Sequence, residues 1–246
     1  MRRVVMLAVM LISSLCVAEA QEMTKHIDLS CQGLKEVQSE IPAVVTLVAG
    51  DSGEIDVEYP AAVEGYVNIY VEGNILYLDR KDDTVTREQL APLADGNPVR
   101  VRVSSSHIDS VLNTSDMDLV VEDSKFANIL TIVNTRTMSV LGEAIEASHE
   151  VEIYNTGTMT CRIKQYNTDY LELVNTGWLY VNGTTTACVV EQQSTGIENT
   201  TLKVACEKLD ISSTGSGVII YSGSADDVSV IATGDATIRT SELNVE

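Results

Sequence analysis

One short corner motif recurs seven times, at a nearly fixed spacing, along the second half of this chain. Thr114, Thr135, Thr156, Thr176, Thr195, Thr214 and Thr233 are separated by 21, 21, 20, 19, 19 and 19 residues. Before them stand Asn113, Asn134, Asn155, Asn175, Ser194, Ser213 and Ala232; after them stand Ser115, Arg136, Gly157, Gly177, Gly196, Gly215 and Gly234. Such a period marks a solenoid. Three residues before the Thr come Val111, Ile132, Ile153, Leu173, Gln192, Ile211 and Val230, and five after it come Leu119, Val140, Cys161, Val181, Thr200, Ile219 and Ile238. Apolar positions spaced by two on either side of a turn are strands with one face inward. A helical repeat would space them by three and four and would disfavour so much Thr, Asn and Val.

The predicted fold is therefore all-β, a single-stranded right-handed parallel β-helix of about 19–21 residues per coil. Like residues then stack from coil to coil at ~4.8 Å. Asn at the corner can hydrogen-bond along the stack, and the following Gly is expected to supply a positive φ. Arg136 breaks that rule, so its coil is expected to turn differently or to be strained. Eight residues before the Thr, Ala127, Ser148, Thr168, Ala187, Cys206 and Ala225 read as a column of small inward residues.

Upstream of residue 108 the repeat blurs into strand-like runs. Gly53 and Gly73, twenty residues apart, hint at two degenerate coils. A polar insertion over residues 79–98 interrupts them, and Thr86-Arg87-Glu88-Gln89 within it resembles a capping box opening a short helical turn. The expected organisation is a signal peptide at 1–20, N-terminal strands and degenerate coils at 21–107, and seven regular coils at 108–246, the last two parts forming one continuous domain. An open solenoid end exposes strand edges, so a cap, a partner or a second copy stacked through the ends is expected there.

Arg2 and Arg3, the apolar run from Val4 to Ile12, and Ala18-Glu19-Ala20 compose an export signal too short to span a bilayer. Leu15 is too bulky for a lipid-attachment motif at Cys16, and no second run is long enough for an integral membrane span. The expected location is the periplasm or outer surface of a bacterium. Removing residues 1–20 leaves 16 − 2 = 14 Lys and Arg against 36 − 1 = 35 Asp and Glu, a net charge of −21. That surface repels nucleic acid and anionic membranes. Cys31, Cys161, Cys188 and Cys206 match no zinc spacing. Cys188 and Cys206 lie in adjacent coils with opposed side-chain directions, which favours buried free thiols over a disulfide.

A polysaccharide lyase or hydrolase on this scaffold needs a convergent base or paired carboxylic acids. Asp116 and Asp118 fall on the first coil, Arg136 on the second, and Arg162 and Lys164 beyond another corner strand; His26, His107 and His149 are isolated. No catalytic group and no cofactor site follows. Two surface columns remain. Glu152, Glu172, Glu191 and Asp210 face outward in successive coils, as a solvated acidic stripe or as a run of weak calcium sites. Beside them Leu112, Val133, Tyr154 and Val174 also face outward, with Trp178 and Tyr180 just past the fourth corner. This apolar strip is either covered by the insertion or a terminus, or open to a protein or glycan partner.

The arrangement resembles the family described as "putative autotransporter adhesin head, GIN domain", whose members are exported bacterial proteins. The resemblance rests on Gly73-Asn-Ile-Leu-Tyr-Leu78, on Val99-Arg-Val-Arg-Val103, and on the corners Ser213-Thr-Gly-Ser-Gly217 and Ala232-Thr-Gly-Asp235. The earlier corners depart from it by using Asn-Thr. The resemblance implies a β-helical fold and an adhesive role, with no site residues to carry over. Three functions follow in order: a non-catalytic envelope binding and adhesion module using the solenoid side face, a structural component stacking through its ends, and a carbohydrate-active enzyme.

Overall fold

The structure, a computed structural model, describes residues 24–245 except 49, 87, 95, 105 and 123; the expected leader at 1–20 lies outside the described residues. The chain forms a parallel β-solenoid of about seven turns. Each coil passes through three faces. The first face carries the strands that lead into the corner, namely Ser110–Asn113, Ile129–Asn134, Glu150–Asn155, Tyr170–Asn175 and Val189–Ser194, all in parallel register. The second face follows the corner and carries Asp116–Glu122, Thr137–Ala147, Thr158–Asn167 and Trp178–Thr186. The far halves of the longer strands make the third face. In the last coils Ile197–Ser213 and Ser216–Ala232 run without a break from the second face to the first.

The register stacks like on like, with Ile132 beside Ile153, Met138 beside Met159 and Val140 beside Cys161. These inward residues are fully buried. The corner asparagines also point inward: Asn113, Asn134, Asn155 and Asn175 are at most 1 % exposed. Asn113 Nδ2 donates to Asn134 Oδ1, Asn134 Nδ2 to Asn155 Oδ1, and Asn155 Nδ2 to Asn175 Oδ1, each at 2.8 Å. Each amide also donates to the carbonyl two residues ahead and to one in the next coil, as Asn155 does to Gly157 (3.1 Å) and Trp178 (2.9 Å). A buried amide is costly unless bonded, and here every rung both gives and receives.

The corner glycines serve a different purpose from the one expected. Gly157, Gly177, Gly196, Gly215 and Gly234 are not at positive φ. A Cβ on any of them would lie 2.0–2.2 Å from the carbonyl oxygen of the corner residue stacked beside it, for example Gly157 O beside Gly177. Glycine is required by close approach of stacked backbones. Arg136 accordingly sits in no left-handed conformation. Its side-chain-bearing corner stacks on Ser115, where the Thr137 N–H reaches Ser115 O at 3.2 Å, against 2.8 Å for both Trp178 on Gly157 and Ile197 on Gly177.

Two further expectations change. The column Ala127, Ser148, Thr168, Ala187, Cys206 and Ala225 is inward only in its later members; Ala127 and Ser148 are exposed, and Phe126 and Ala147 take the buried place. The 21-residue coils spend their extra residue at this bend, which shifts the register by one. All four described cysteines are free, but only Cys161 is fully buried; Cys188 is exposed and Cys206 half-buried. Burial pushes the Cys161 thiol up to about 12.

At the N-terminal end, strands Glu36–Ser39 and Ala43–Val48 form a coil that stacks directly on Ser110–Asn113 and Asp116–Glu122. Ile75–Arg80 and Val99–Ser104 lie on its other side. Antiparallel strands then cover this end: Val67–Glu72 on Ile75–Arg80, and Glu54–Pro60 on Val99–Ser104, with Thr24–Ser30 outside it. Gly53 and Gly73 therefore mark turns rather than coils. Gly73 and Asn74, at φ 58° and 68°, make the two-residue turn that the twist of an antiparallel hairpin selects. The opposite end carries no such cover among the described residues. Asp235–Val245 pairs only with Ser216–Ala232, and Val230, Ile231 and Val245 are 43, 61 and 62 % exposed.

Candidate functional site

The insertion at 79–98 folds against the side of the first coils. Thr86 N–H donates to Gln89 Oε1 (2.8 Å) and Gln89 N–H to Thr86 Oγ1 (3.4 Å), the reciprocal box expected there, and the short helix Ala91–Ala94 follows. Val85, Leu90 and Leu93 are buried. Held down by these residues, the insertion becomes a wall. Between that wall and the corners lies a cavity of about 520 Å³ lined by Arg80, Val85, Leu90, Thr114, Asp116 and Arg136. A second, open groove of about 740 Å³ continues from Leu93 and Pro98 over the second face, past Asp116 and Asp118, to Thr158, Thr160 and Arg162.

The floor of this groove consists of outward columns of the second face. Register carries one column from Asp116 through Thr137 and Thr158 to Trp178 and Ile197, and another from Asp118 through Ser139 and Thr160 to Tyr180. Trp178 and Ile197 are 39 and 53 % exposed. The groove thus opens onto an aromatic platform one coil further on. Arg100, Arg136 and Arg162 form no ion pair among the described residues and line the two cavities beside Asp116 and Asp118. Sequence phasing set Asp116, Asp118, Arg136 and Arg162 apart by coil number. Stacking brings them to one surface, and the insertion, expected as a polar interruption or as a cover for the apolar strip, makes its wall.

The other predicted residues divide between faces. Val133, Tyr154 and Val174 lie in one column of the first face, half-buried, while Trp178 and Tyr180 lie round the corner on the second. They do not form one strip, and the insertion does not line either cavity as far as Tyr154 or Trp178. The acidic stripe is in register as expected, Glu152 beside Glu172 beside Glu191 beside Asp210. Its carboxylates are already engaged. Thr131 Oγ1 donates to Glu152 (2.6 Å), Tyr154 OH to Glu172 (2.5 Å), Tyr170 OH to Glu191 (2.5 Å), and Lys208 Nζ to Asp210 (2.5 Å). The bond to Glu172, then burial, drives the Tyr154 hydroxyl well above its ordinary range; for Tyr170 burial leads and the bond to Glu191 follows. Among the described residues no three His, Cys, Asp or Glu side chains are grouped to hold a metal ion. No described helix is long and apolar enough to cross a membrane.

Solved structures share this fold, three of them as follows. A protein from Bacteroides fragilis described as a putative adhesin superposes with a TM-score of 0.66 at 16 % identity, covering 89 % of this chain and 97 % of its own. Adhesins so described from Parabacteroides distasonis and Parabacteroides merdae give 0.65 and 0.59 at 12 and 15 % identity, covering 89 % of this chain and 98 and 96 % of theirs. No curated protein matches the sequence at a significant level. Residues 33–246 match a single family throughout, and the chain belongs to the family described as "Putative auto-transporter adhesin, head GIN domain".

Proposed function

We propose that this chain is a non-catalytic binding module of the bacterial cell envelope, and that it lays a glycan strand along its second face. Membership of an adhesin-named family supports the adhesion-like role. The observation that carries the finer reading is the continuity of the groove with Trp178 and Tyr180 along the same stacked columns. A sugar ring offers a C–H face that stacks on indole and hydroxyls that both donate and accept. Asp116 and Asp118 accept, Arg136 and Arg162 donate, and Thr137, Thr158 and Thr160 do both. A wall on one side and a flat floor ~4.8 Å per coil suit an extended chain better than a compact ligand.

A glycan array followed by calorimetry on the best binder tests this. Trp178→Ala is expected to weaken binding at least tenfold, and Arg136→Ala to weaken it less, with the circular dichroism spectrum unchanged in both. Binding that survives Trp178→Ala, Tyr180→Ala and Arg162→Ala together contradicts the assignment to this face. Chelation by EDTA is expected to leave binding unchanged; a loss would return Glu152, Glu172, Glu191 and Asp210 to the reading as calcium sites.

The uncovered C-terminal coil favours a second reading, assembly through the solenoid ends. Exposed Val230, Ile231 and Val245 beside an unpaired strand edge are what a stacked copy would cover. Sedimentation that shows a concentration-dependent dimer, lost in Ile231→Lys, would support it.

A further inference from the structure

The fifth corner contains a buried polar group that the binding face does not use. Gln192, Glu198 and Thr200 occupy inward positions held in the preceding coil by Leu173, Leu179 and Val181. They and Tyr221 are at most 1 % exposed. Thr200 Oγ1 donates to Glu198 Oε1 (2.7 Å). Gln192 Nε2 lies against that same carboxylate oxygen and 3.1 Å from Thr200 Oγ1. Tyr221 OH donates to Gln192 Oε1 at 2.5 Å. Glu198 Oε2 has no partner among the described residues.

This is the constellation of an acyl transfer, assembled inside one chain. Thr200 supplies a hydroxyl nucleophile, and Glu198 a base bonded to it. The Gln192 side chain supplies a carboxamide carbon, and Tyr221 a donor already placed on the oxygen where negative charge would develop. We propose that Thr200 and Gln192 condense into an intramolecular ester, with Glu198 as the proton carrier and Tyr221 as the oxyanion donor. Glu198 takes the proton from Thr200 Oγ1 as Oγ1 attacks Gln192 Cδ. The oxyanion forms on Gln192 Oε1 against the Tyr221 hydroxyl. Glu198 then passes the proton to Nε2, the Cδ–Nε2 bond breaks, and ammonia leaves. One O–H and one C–N bond are exchanged for one C–O and one N–H bond, and no oxidant or cofactor is consumed.

Three features favour the step. Fixed neighbours replace a bimolecular encounter by an intramolecular one, and a turn of the Gln192 carboxamide that gives up the Nε2 contact to Thr200 Oγ1 brings Cδ to face that hydroxyl. Burial excludes the water that would hydrolyse the ester. Burial also raises the Glu198 carboxyl, against hydrogen bonds from Thr200, Ser194 and Gln192 that lower it, and so brings it toward the range of an efficient base. The location is informative too. Asn175 is the last corner asparagine, and its bond to Ser194 Oγ is long at 3.4 Å. A covalent tie between the first and second faces would close the corner at the coil where the amide ladder stops.

The test uses the full chain, aged in its folded state, then denatured and cut with a glutamyl endopeptidase. Cleavage after Glu191, Glu198 and Glu207 separates fragment 192–198, which holds Gln192, from fragment 199–207, which holds Thr200. The expected product is a single species joining both fragments, lighter than their sum by one ammonia. Hydroxylamine should split it into a Gln192 hydroxamate and an unmodified 199–207 peptide. The joined species should vanish in Thr200→Val and fall at least tenfold in Glu198→Gln and in Tyr221→Phe. Recovery of both fragments at unshifted mass from the wild type overturns the proposal. Persistence of the joined species in Thr200→Val overturns the assignment of the nucleophile.

Discussion

The coils that close on Asn113, Asn134, Asn155 and Asn175 differ in kind from those that close on Ser194, Ser213 and Ala232. In the first set each corner amide donates to the next at 2.8 Å, and the inward residues flanking the corners are Met, Val, Leu and Ile with Cys161. In the second the ladder thins to one long bond at Ser194, the core takes in Gln192, Glu198 and Thr200, and the last coil lies open. The difference follows from side-chain chemistry. A carboxamide has two donor protons and an acceptor oxygen, so an asparagine rung can bond its neighbour and still donate to backbone; a serine hydroxyl has a single proton and can do only one of these. The asparagine half carries the groove and Trp178, and the other half includes the end that no described strand covers.

The largest loss of stability is expected at a rung. Asn155→Ala removes donors to Gly157 O, Trp178 O and Asn175 Oδ1 and takes from the Asn134 amide its acceptor in the next rung, leaving it the Arg136 and Thr158 carbonyls. Chemical denaturation should show a loss of about 3 kcal/mol, against about 1 kcal/mol for Ser213→Ala. Gly177→Ala comes next, because its Cβ meets Gly157 O at 2.0 Å while at Gly65 nothing lies within 4 Å. We expect a cost of about 2 kcal/mol at Gly177 and little at Gly65.

A pH series sharpens the contrast in the core. Burial raises Glu198 above its reference of 4.5, so between the unfolded and the folded value the native state holds a proton that the unfolded chain releases, and above the folded value the carboxylate is ionised. Stability then falls as pH rises from the unfolded value through the folded one. In the Thr200→Val background, which forms no ester, adding Glu198→Gln should raise the melting temperature near neutrality and leave it unchanged well below the unfolded value. Thiol labelling gives the smallest perturbation. A native-state reagent should reach exposed Cys188 first and Cys206 later, and Cys161 only on unfolding.

The corner spacing made the coil, its register and its inward columns legible, because stacking forces like residues onto one another. Three things were hidden for physical reasons. The use of the corner glycines depends on how closely neighbouring coils approach, which no single repeat encodes. The order of the N-terminal strands is set by Gly53 and Gly73 as turns, and a twenty-residue spacing between turns imitates a coil. The groove is built by the insertion from outside the repeat, so Asp116, Arg136 and Arg162 looked unrelated. Gln192 and Thr200 were visible as polar breaks in apolar columns, but Glu198 stands where only the first four copies keep a Met or Leu, so the cluster did not assemble in sequence.

Hydrogen exchange resolved along the full chain tests most directly whether the asparagine ladder divides the rod. Amides of Leu130–Ile132, Val151–Ile153 and Leu171–Leu173 should open only with global unfolding. Those of Val228–Ile231 and Asp235–Val245 should exchange at least roughly a hundredfold faster, through local opening. Uniform protection from the first coil to the last, or a boundary that does not fall between Asn175 and Ser213, would contradict it.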